Sequence, residues 1–154
     1  MNLLLPDEDA TLELGSRLFP LLRPGMLVFL RGDLGAGKTT LVRGCLRAAG
    51  HGGTVKSPTY TLVEEYRLAE LTLYHFDLYR IRDPAELEWM GIRDYLGADS
   101  LGFVEWPERA GDLLPAPDLE LSLEIEGSGR RLGVCARSAA GSAAAAGLAA
   151  SDRP

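Results

Sequence analysis

Met26-Leu27-Val28-Phe29-Leu30-Arg31-Gly32-Asp33-Leu34-Gly35-Ala36-Gly37-Lys38-Thr39 decides how the rest of the chain reads. An unbroken apolar run from Met26 to Leu30 suits a strand buried on both faces of a parallel sheet. The glycines that follow let the backbone turn tightly enough for its N–H groups to converge on anionic oxygens. Residues 32–39 match G-x-x-x-x-G-K-[ST] without a gap, which makes Gly32, Asp33, Leu34, Gly35, Ala36, Gly37, Lys38, Thr39 and the adjoining Thr40 candidate ligands of a nucleotide's phosphates. Lys38 supplies a point charge, Thr39 a hydroxyl suited to Mg²⁺, and the helix they open turns the positive end of its dipole toward the phosphates. The pattern alone also fits an ordinary glycine-rich strand-to-helix turn. Its context argues against that, because the strand precedes it and Leu41, Val42, Cys45, Leu46 and Ala49 follow at helical spacing.

Upstream, Asp7 or Asp9 can cap a helix that carries Leu14, Leu18, Leu21 and Leu22 on one face and ends at Pro24-Gly25. Downstream of a helix over about 38–49, Gly50, Gly52 and Gly53 break the chain. Ser57-Pro58-Thr59-Tyr60 then leads into strands over about 60–67 and 71–76, which suit a hairpin. Pro84 stands near the first turn of a helix reaching about Met90, and Leu101-Gly102-Phe103-Val104 reads as another buried strand with Glu105 at its end. Leu119 to Ile125 alternates strictly, and Arg131 to Cys135 can pair with it across Gly127-Ser128-Gly129. The fold expected is α/β, a three-layer sandwich of the P-loop NTPase kind, with a mostly parallel sheet and antiparallel additions. Residues 1–137 form its single domain. From about Ser138 the chain is rich in Ala and Gly, with little bulk to offset ordering entropy. Residues 138–154 therefore read as a disordered tail, with a marginal helix as the alternative.

Composition narrows the partners. A chain of 154 residues, 46% of them hydrophobic, can bury one real core and is short for a two-domain enzyme. Sixteen basic against 22 acidic residues give a net charge of −6, which disfavours holding a polyphosphate backbone by charge alone. Cys45 and Cys135 lack metal-ligand or CxxC spacing, and Cys45 falls on an apolar helix face, as a small core residue in a reducing cytosol would. The amino terminus shows neither a basic n-region nor a long apolar stretch, so a cytoplasmic protein without a membrane span is expected.

Hydrolysis at a phosphate loop needs acidic groups to hold metal and orient water. Asp77, in Leu73-Tyr74-His75-Phe76-Asp77, and Glu105, in Phe103-Val104-Glu105-Trp106-Pro107, each end a buried strand, where open α/β sheets place their ligands. Either alone can equally be an exposed carboxylate or a helix cap; both together strengthen the functional reading.

From about residue 7 to 137 the chain resembles the TsaE (YjeE) family, the P-loop ATPases of bacterial tRNA threonylcarbamoyladenosine biosynthesis. Beside the phosphate loop, the resemblance rests on Ser57-Pro58-Thr59-Tyr60-Thr61-Leu62-Val63, on His75-Phe76-Asp77-Leu78-Tyr79-Arg80 and on Glu105-Trp106-Pro107-Glu108. It implies binding of Mg-ATP and slow hydrolysis, coupled to TsaB and TsaD partners that install threonylcarbamoyl on tRNA adenosine beside the anticodon. The magnesium-site residues fall on Thr39 and Glu105, and the family's strand-end aspartate on Asp77, which either holds a metal-bound water or orients the attacking one. Lys38, Asp77 and Glu105 are thus the candidate catalytic residues. Thr59 corresponds to the threonine of a switch-like loop, Thr11 to a polar residue near the nucleotide, and Arg130 to a basic hairpin residue that reaches toward it. Plain turn chemistry, a solvated helix face and a surface arginine are the respective alternatives. Trp106 reads as packing beside Glu105, His75 as filling its strand, and Arg80 as one half of an ion pair. The Ala- and Gly-rich run from Ala139 to Ala150 departs from the family's mixed-polarity terminal segment.

Two other classes share the phosphate loop. A small-molecule kinase normally closes an Arg-rich lid, and no long basic insertion is visible here. A guanine-nucleotide switch should carry Asn-Lys-x-Asp, which this chain lacks. A nucleotide-gated assembly factor overlaps with the ATPase reading.

Overall fold

In the computed structural model, which describes residues 1–152, seven strands form one sheet: β1 (Asn2–Leu5), β2 (Leu27–Arg31), β3 (Val63–Arg67), β4 (Thr72–Asp77), β5 (Ser100–Glu105), β6 (Leu119–Glu126) and β7 (Gly129–Ala136). Side by side they run β1-β7-β6-β2-β5-β4-β3. The central four, β6, β2, β5 and β4, are parallel. β3 joins one edge antiparallel and the β7–β1 pair joins the other. Hairpins link β3 to β4 and β6 to β7, the amino-terminal β1 closes the far edge against β7, and longer crossovers supply the buried parallel centre.

Alternation along β2 builds a core on each face of the sheet. Val28 and Leu30 pack with Leu101, Phe103 and Leu121 on one side, whereas Leu27 and Phe29 pack with Phe76 and Val104 on the other. Three helices cover the first face: α1 (Glu8–Leu18), α2 (Lys38–Ala48) and α4 (Ala139–Ser151). A short α3 (Ala85–Trp89) and 3₁₀ turns at Ile92–Tyr95 and Pro107–Ala110 cover the second through Leu87, Ile92 and Ala110. Asp7 caps α1, its carboxylate accepting from the Ala10 N–H at 2.8 Å. Gly15 of α1 faces Gly44 of α2, and a Cβ on either would strike the other helix's backbone. This approach brings Thr11, itself buried, against Gly37 at the start of α2. Cys45 lies wholly inside this layer, and burial pushes its thiol pKa far above the ordinary range, the reverse of a reactive thiolate.

The disordered tail expected over 138–154 is corrected as far as the described residues reach, because 139–151 are helical; Arg153 and Pro154 lie outside them. Ser138 caps α4 by accepting from the Gly141 N–H at 3.0 Å while donating to Asp118 Oδ1 at 2.7 Å. Asp118 in turn accepts from the Leu27 N–H at 2.8 Å through Oδ2. Gly141, Ala144 and Leu148 recur along the buried stripe of the helix, and a Cβ at Gly141 would collide with the Asp118 carbonyl oxygen. Docking succeeds because the face is small. Alanine loses no side-chain entropy on burial, and bare backbone approaches the chain at Asp118 closely. β1 is a second element beyond the sequence reading; it pairs Leu3 and Leu5 inward against β7. Before β3, Ser57–Leu62 is held as a turn by the Leu62 N–H donating to Pro58 O at 2.8 Å, so the strand starts later than residue 60.

Candidate functional site

β2 delivers the chain into the glycine-rich loop, and α2 takes it up at Lys38. Gly32 and Gly37 have φ of 147° and 104°, values that L side chains rarely adopt, so both positions need glycine for conformation, and Gly32 needs it for space too, since a Cβ there would strike the Leu123 carbonyl oxygen. Within the loop, the Ala36 N–H donates to Asp33 O at 3.1 Å and closes a turn, leaving Leu34 exposed at its tip.

The carboxyl ends of β4 and β5 face this loop. Their register pairs Asp77 with Glu105, and strand alternation puts both on the face covered by α2, together with His75. Lys38, Asp77 and Glu105 are 5%, 3% and 4% exposed, so each charge depends on its partners. The Lys38 ammonium donates to Gly32 O, lies 3.4 Å from Glu105 Oε1, and sits 4.8 Å from the centre of the Trp106 ring. The other oxygen of Glu105 contacts His75 Nε2 at 2.7 Å. Asp77 accepts from the Tyr79 N–H and from the Thr59 hydroxyl, both at 3.0 Å, and Thr59 touches Ser57 Oγ at 2.7 Å. The turn before β3 is therefore hydrogen-bonded straight to a strand-end carboxylate.

Leu34, Gly35, Gly37, Lys38, Thr39 and Thr40 line one wall of a cleft of about 280 Å³, and Ser57, Thr59, Asp77 and Glu105 line the other. Across Gly35, Gly37 and Thr40 this cleft meets a second of about 270 Å³, which contains Thr11, Arg130 and the carboxylate-bearing Asp7 and Glu8. Gly32, Asp33 and Ala36 instead face a hollow against Ser122–Ile125 of β6. Arg130 lies against the loop itself, donating to the carbonyls of Gly35 and Ala36. Arg80 stacks on the Tyr60 ring at 4.3 Å, where an ion pair was expected.

The donors fit Mg²⁺ bound with phosphate. Thr39 offers a hydroxyl, and Glu105 and Asp77 offer carboxylates; among the described residues no three His, Cys, Asp or Glu side chains converge into a protein-only metal cage. Mg²⁺ typically takes one or two carboxylates and completes its shell with water and phosphate oxygens.

Two contacts exceed the sequence reading. His75 does more than fill its strand, since it holds the inner oxygen of Glu105; its place two residues before Asp77, hence on the same strand face, was the available signal. Trp106, at a positive φ of 56°, covers the Lys38 ammonium, and no local pattern announced that conformation. Among the described residues no helix is long and apolar enough to cross a membrane.

The sequence matches the family described as Threonylcarbamoyl adenosine biosynthesis protein TsaE over residues 5–132. It is 47% identical over 138 residues to the tRNA threonylcarbamoyladenosine biosynthesis protein TsaE of Haemophilus influenzae, covering 86% of this chain and 87% of that one. The protein of the same name from Synechocystis is 44% identical over 117 residues, covering 73% and 74%. A crystal structure of YdiB from Bacillus subtilis superposes with a TM-score of 0.84 at 25% identity, covering 99% of this chain and 96% of that one. A family match across both strand-end carboxylates and the phosphate loop, with relatives aligned over most of their length, shows that this chain belongs to the TsaE family.

Proposed function

We propose that residues 32–40, with Asp77 and Glu105, bind Mg-ATP, and that the chain hydrolyses it slowly in support of threonylcarbamoyl transfer to tRNA adenosine. The observation that carries this reading is the single cleft in which Lys38, Thr39, Asp77 and Glu105 meet at the carboxyl ends of parallel strands, the usual ligand position in open α/β sheets. The relatives' shared name, tRNA threonylcarbamoyladenosine biosynthesis protein, supports the pathway.

In this reading Thr39 and Glu105 hold Mg²⁺, which when bound screens phosphate charge. Lys38 adds a fixed positive charge, and its burial beneath Trp106 strengthens that charge by excluding water. Asp77, already fixed by Tyr79 and Thr59, keeps acceptor capacity for a water molecule. Thr59 ties the Ser57–Leu62 turn to that carboxylate, so a partner that moves the turn also moves Asp77. An acidic chain is poorly suited to holding tRNA alone, and homologues of TsaB and TsaD supply the acceptor and the RNA contacts.

Calorimetry on wild type and Lys38→Ala, with phosphate release measured with and without TsaB, TsaD and tRNA from the same source, tests the reading. Loss of a charge-assisted contact should weaken ATP binding by roughly tenfold or more, and turnover should rise with partners. Equal ATP affinity in the folded variant overturns the site. Full activity alone, with no contribution to tRNA modification, favours a small-molecule kinase.

A further inference from the structure

Arg130, at the start of β7, donates from Nε to Ala36 O at 2.9 Å, from Nη2 to Gly35 O at 3.0 Å, and from Nη1 to Gly129 O at 2.8 Å. A guanidinium is a rigid planar fork, so it fixes two successive loop carbonyls as one unit. Its base is equally constrained, since Gly129 has no room for a Cβ beside Leu5 and Pro6. The peptides are trans, so each carbonyl opposes the N–H of the same peptide unit. In the Gly35–Ala36 peptide that N–H is bound to Asp33 O. In the Ala36–Gly37 peptide it belongs to Gly37, which lines the phosphate cleft and whose N–H has no protein acceptor among the described residues. Drawing Ala36 O toward the hairpin therefore turns the Gly37 N–H away from it.

We propose that Arg130 is a positioning residue that clamps the phosphate loop from the β6–β7 hairpin and aims the Gly37 N–H, rather than a reader of the nucleoside. The proposal rests on the Mg-ATP reading. A loop with glycines at positive φ at 35 and 37 is permissive, and ordering it in advance removes a cost that phosphate binding otherwise carries. The same contacts make the hairpin turn and the loop move together.

The test compares Mg-dependent binding of ATP and of inorganic tripolyphosphate to the full chain, Arg130→Ala and Arg130→Lys, with amide exchange in the ligand-free proteins. A clamp predicts that Arg130→Ala weakens both ligands by the same factor, roughly tenfold, and that Arg130→Lys restores part of it. Exchange of the Ala36 amide should accelerate while that of the sheet stays unchanged, which a general loss of stability would not produce. Weaker ATP with unaltered tripolyphosphate binding makes Arg130 a nucleoside contact and overturns the proposal, as does unchanged Ala36 exchange. If wild type binds neither ligand, the Mg-ATP reading fails, and the exchange comparison still decides whether Arg130 fixes the loop.

Discussion

At the carboxyl ends of β4 and β5, Lys38, His75, Asp77 and Glu105 are all buried, and each is held by another polar group. Along α4, the thirteen residues from Ala139 to Ser151 carry no charge and one bulky side chain, Leu148, yet the helix packs against the same core. The first region is built from side chains that chemistry requires, the second from side chains that are absent. Buried charge must be paired, so a site of that kind leaves particular residue types at particular strand ends. A helix docked through Gly and Ala leaves only composition, which looks the same whether the segment packs or floats.

Breaking the first region should cost most. Glu105 counters Lys38 and is a proposed metal ligand, so Glu105→Gln should lower ATP turnover by two to three orders of magnitude, about 3–4 kcal/mol at the transition state. Turnover at saturating Mg²⁺ measures it, and wild-type rates would make the carboxylate structural. The second region should answer in stability. Ending the chain after Arg137 uncovers the surface that Leu148 and Ala144 bury, and removes the Ser138 contact with Asp118. The expected loss is about 3 kcal/mol, or roughly 10 °C in Tm. An unchanged melting curve would return residues 138–154 to the status of a tail.

The β2–loop–α2 unit was legible because three periodicities meet there: the apolar run, the glycines, and the Leu41, Val42, Cys45, Leu46 stripe, all four of which are fully buried. Asp77 and Glu105 were legible as strand ends. Their bonding to Thr59 and His75 was not, since it depends on β4–β5 register and on where the turn before β3 folds back. β1 escaped because Asn2–Leu5 is too short to show alternation without its partner β7. α4 escaped because its specificity lies in Asp118, a residue in the loop before β6, bridging the Ser138 cap and the backbone of β2.

Two single substitutions sharpen the contrast at finer scale. Gly141→Ala is favourable by helix propensity, but its Cβ meets the Asp118 carbonyl, so the helix must shift and stability should fall by about 2 kcal/mol. A gain in Tm would mean that propensity decides there and that the close approach does not. In the site, His75→Leu preserves bulk and removes the donor to Glu105 Oε2, which should slow turnover roughly tenfold. His75→Gln retains a donor and should recover most of that rate. Equal rates in the two variants would confine His75 to packing.

The smallest effect expected lies at Glu120 of β6, which pairs with Arg137 at the entry to α4. Partial burial pushes the Glu120 carboxyl up, but hydrogen bonds from Arg31 at 2.9 Å and Arg137 at 2.8 Å outweigh it and hold its pKa below the usual carboxylate range. A folded pKa below the unfolded one means that the stabilisation is fully present above the unfolded value, about 4.3, and is lost as pH falls through the folded value. Arg137 directly precedes the Ser138 cap, so this pair also steadies the entry to α4. Both arginines are half-exposed, and solvent screening keeps the contribution to about 0.5 kcal/mol. Glu120→Gln should thus lower stability slightly at pH 7 and flatten the acid limb of the stability profile below about pH 4.3, where the carboxylate would otherwise protonate. Urea unfolding of both proteins from pH 7 to pH 2 measures the difference, and parallel curves across that range would show that the arginines leave Glu120 energetically unpaired.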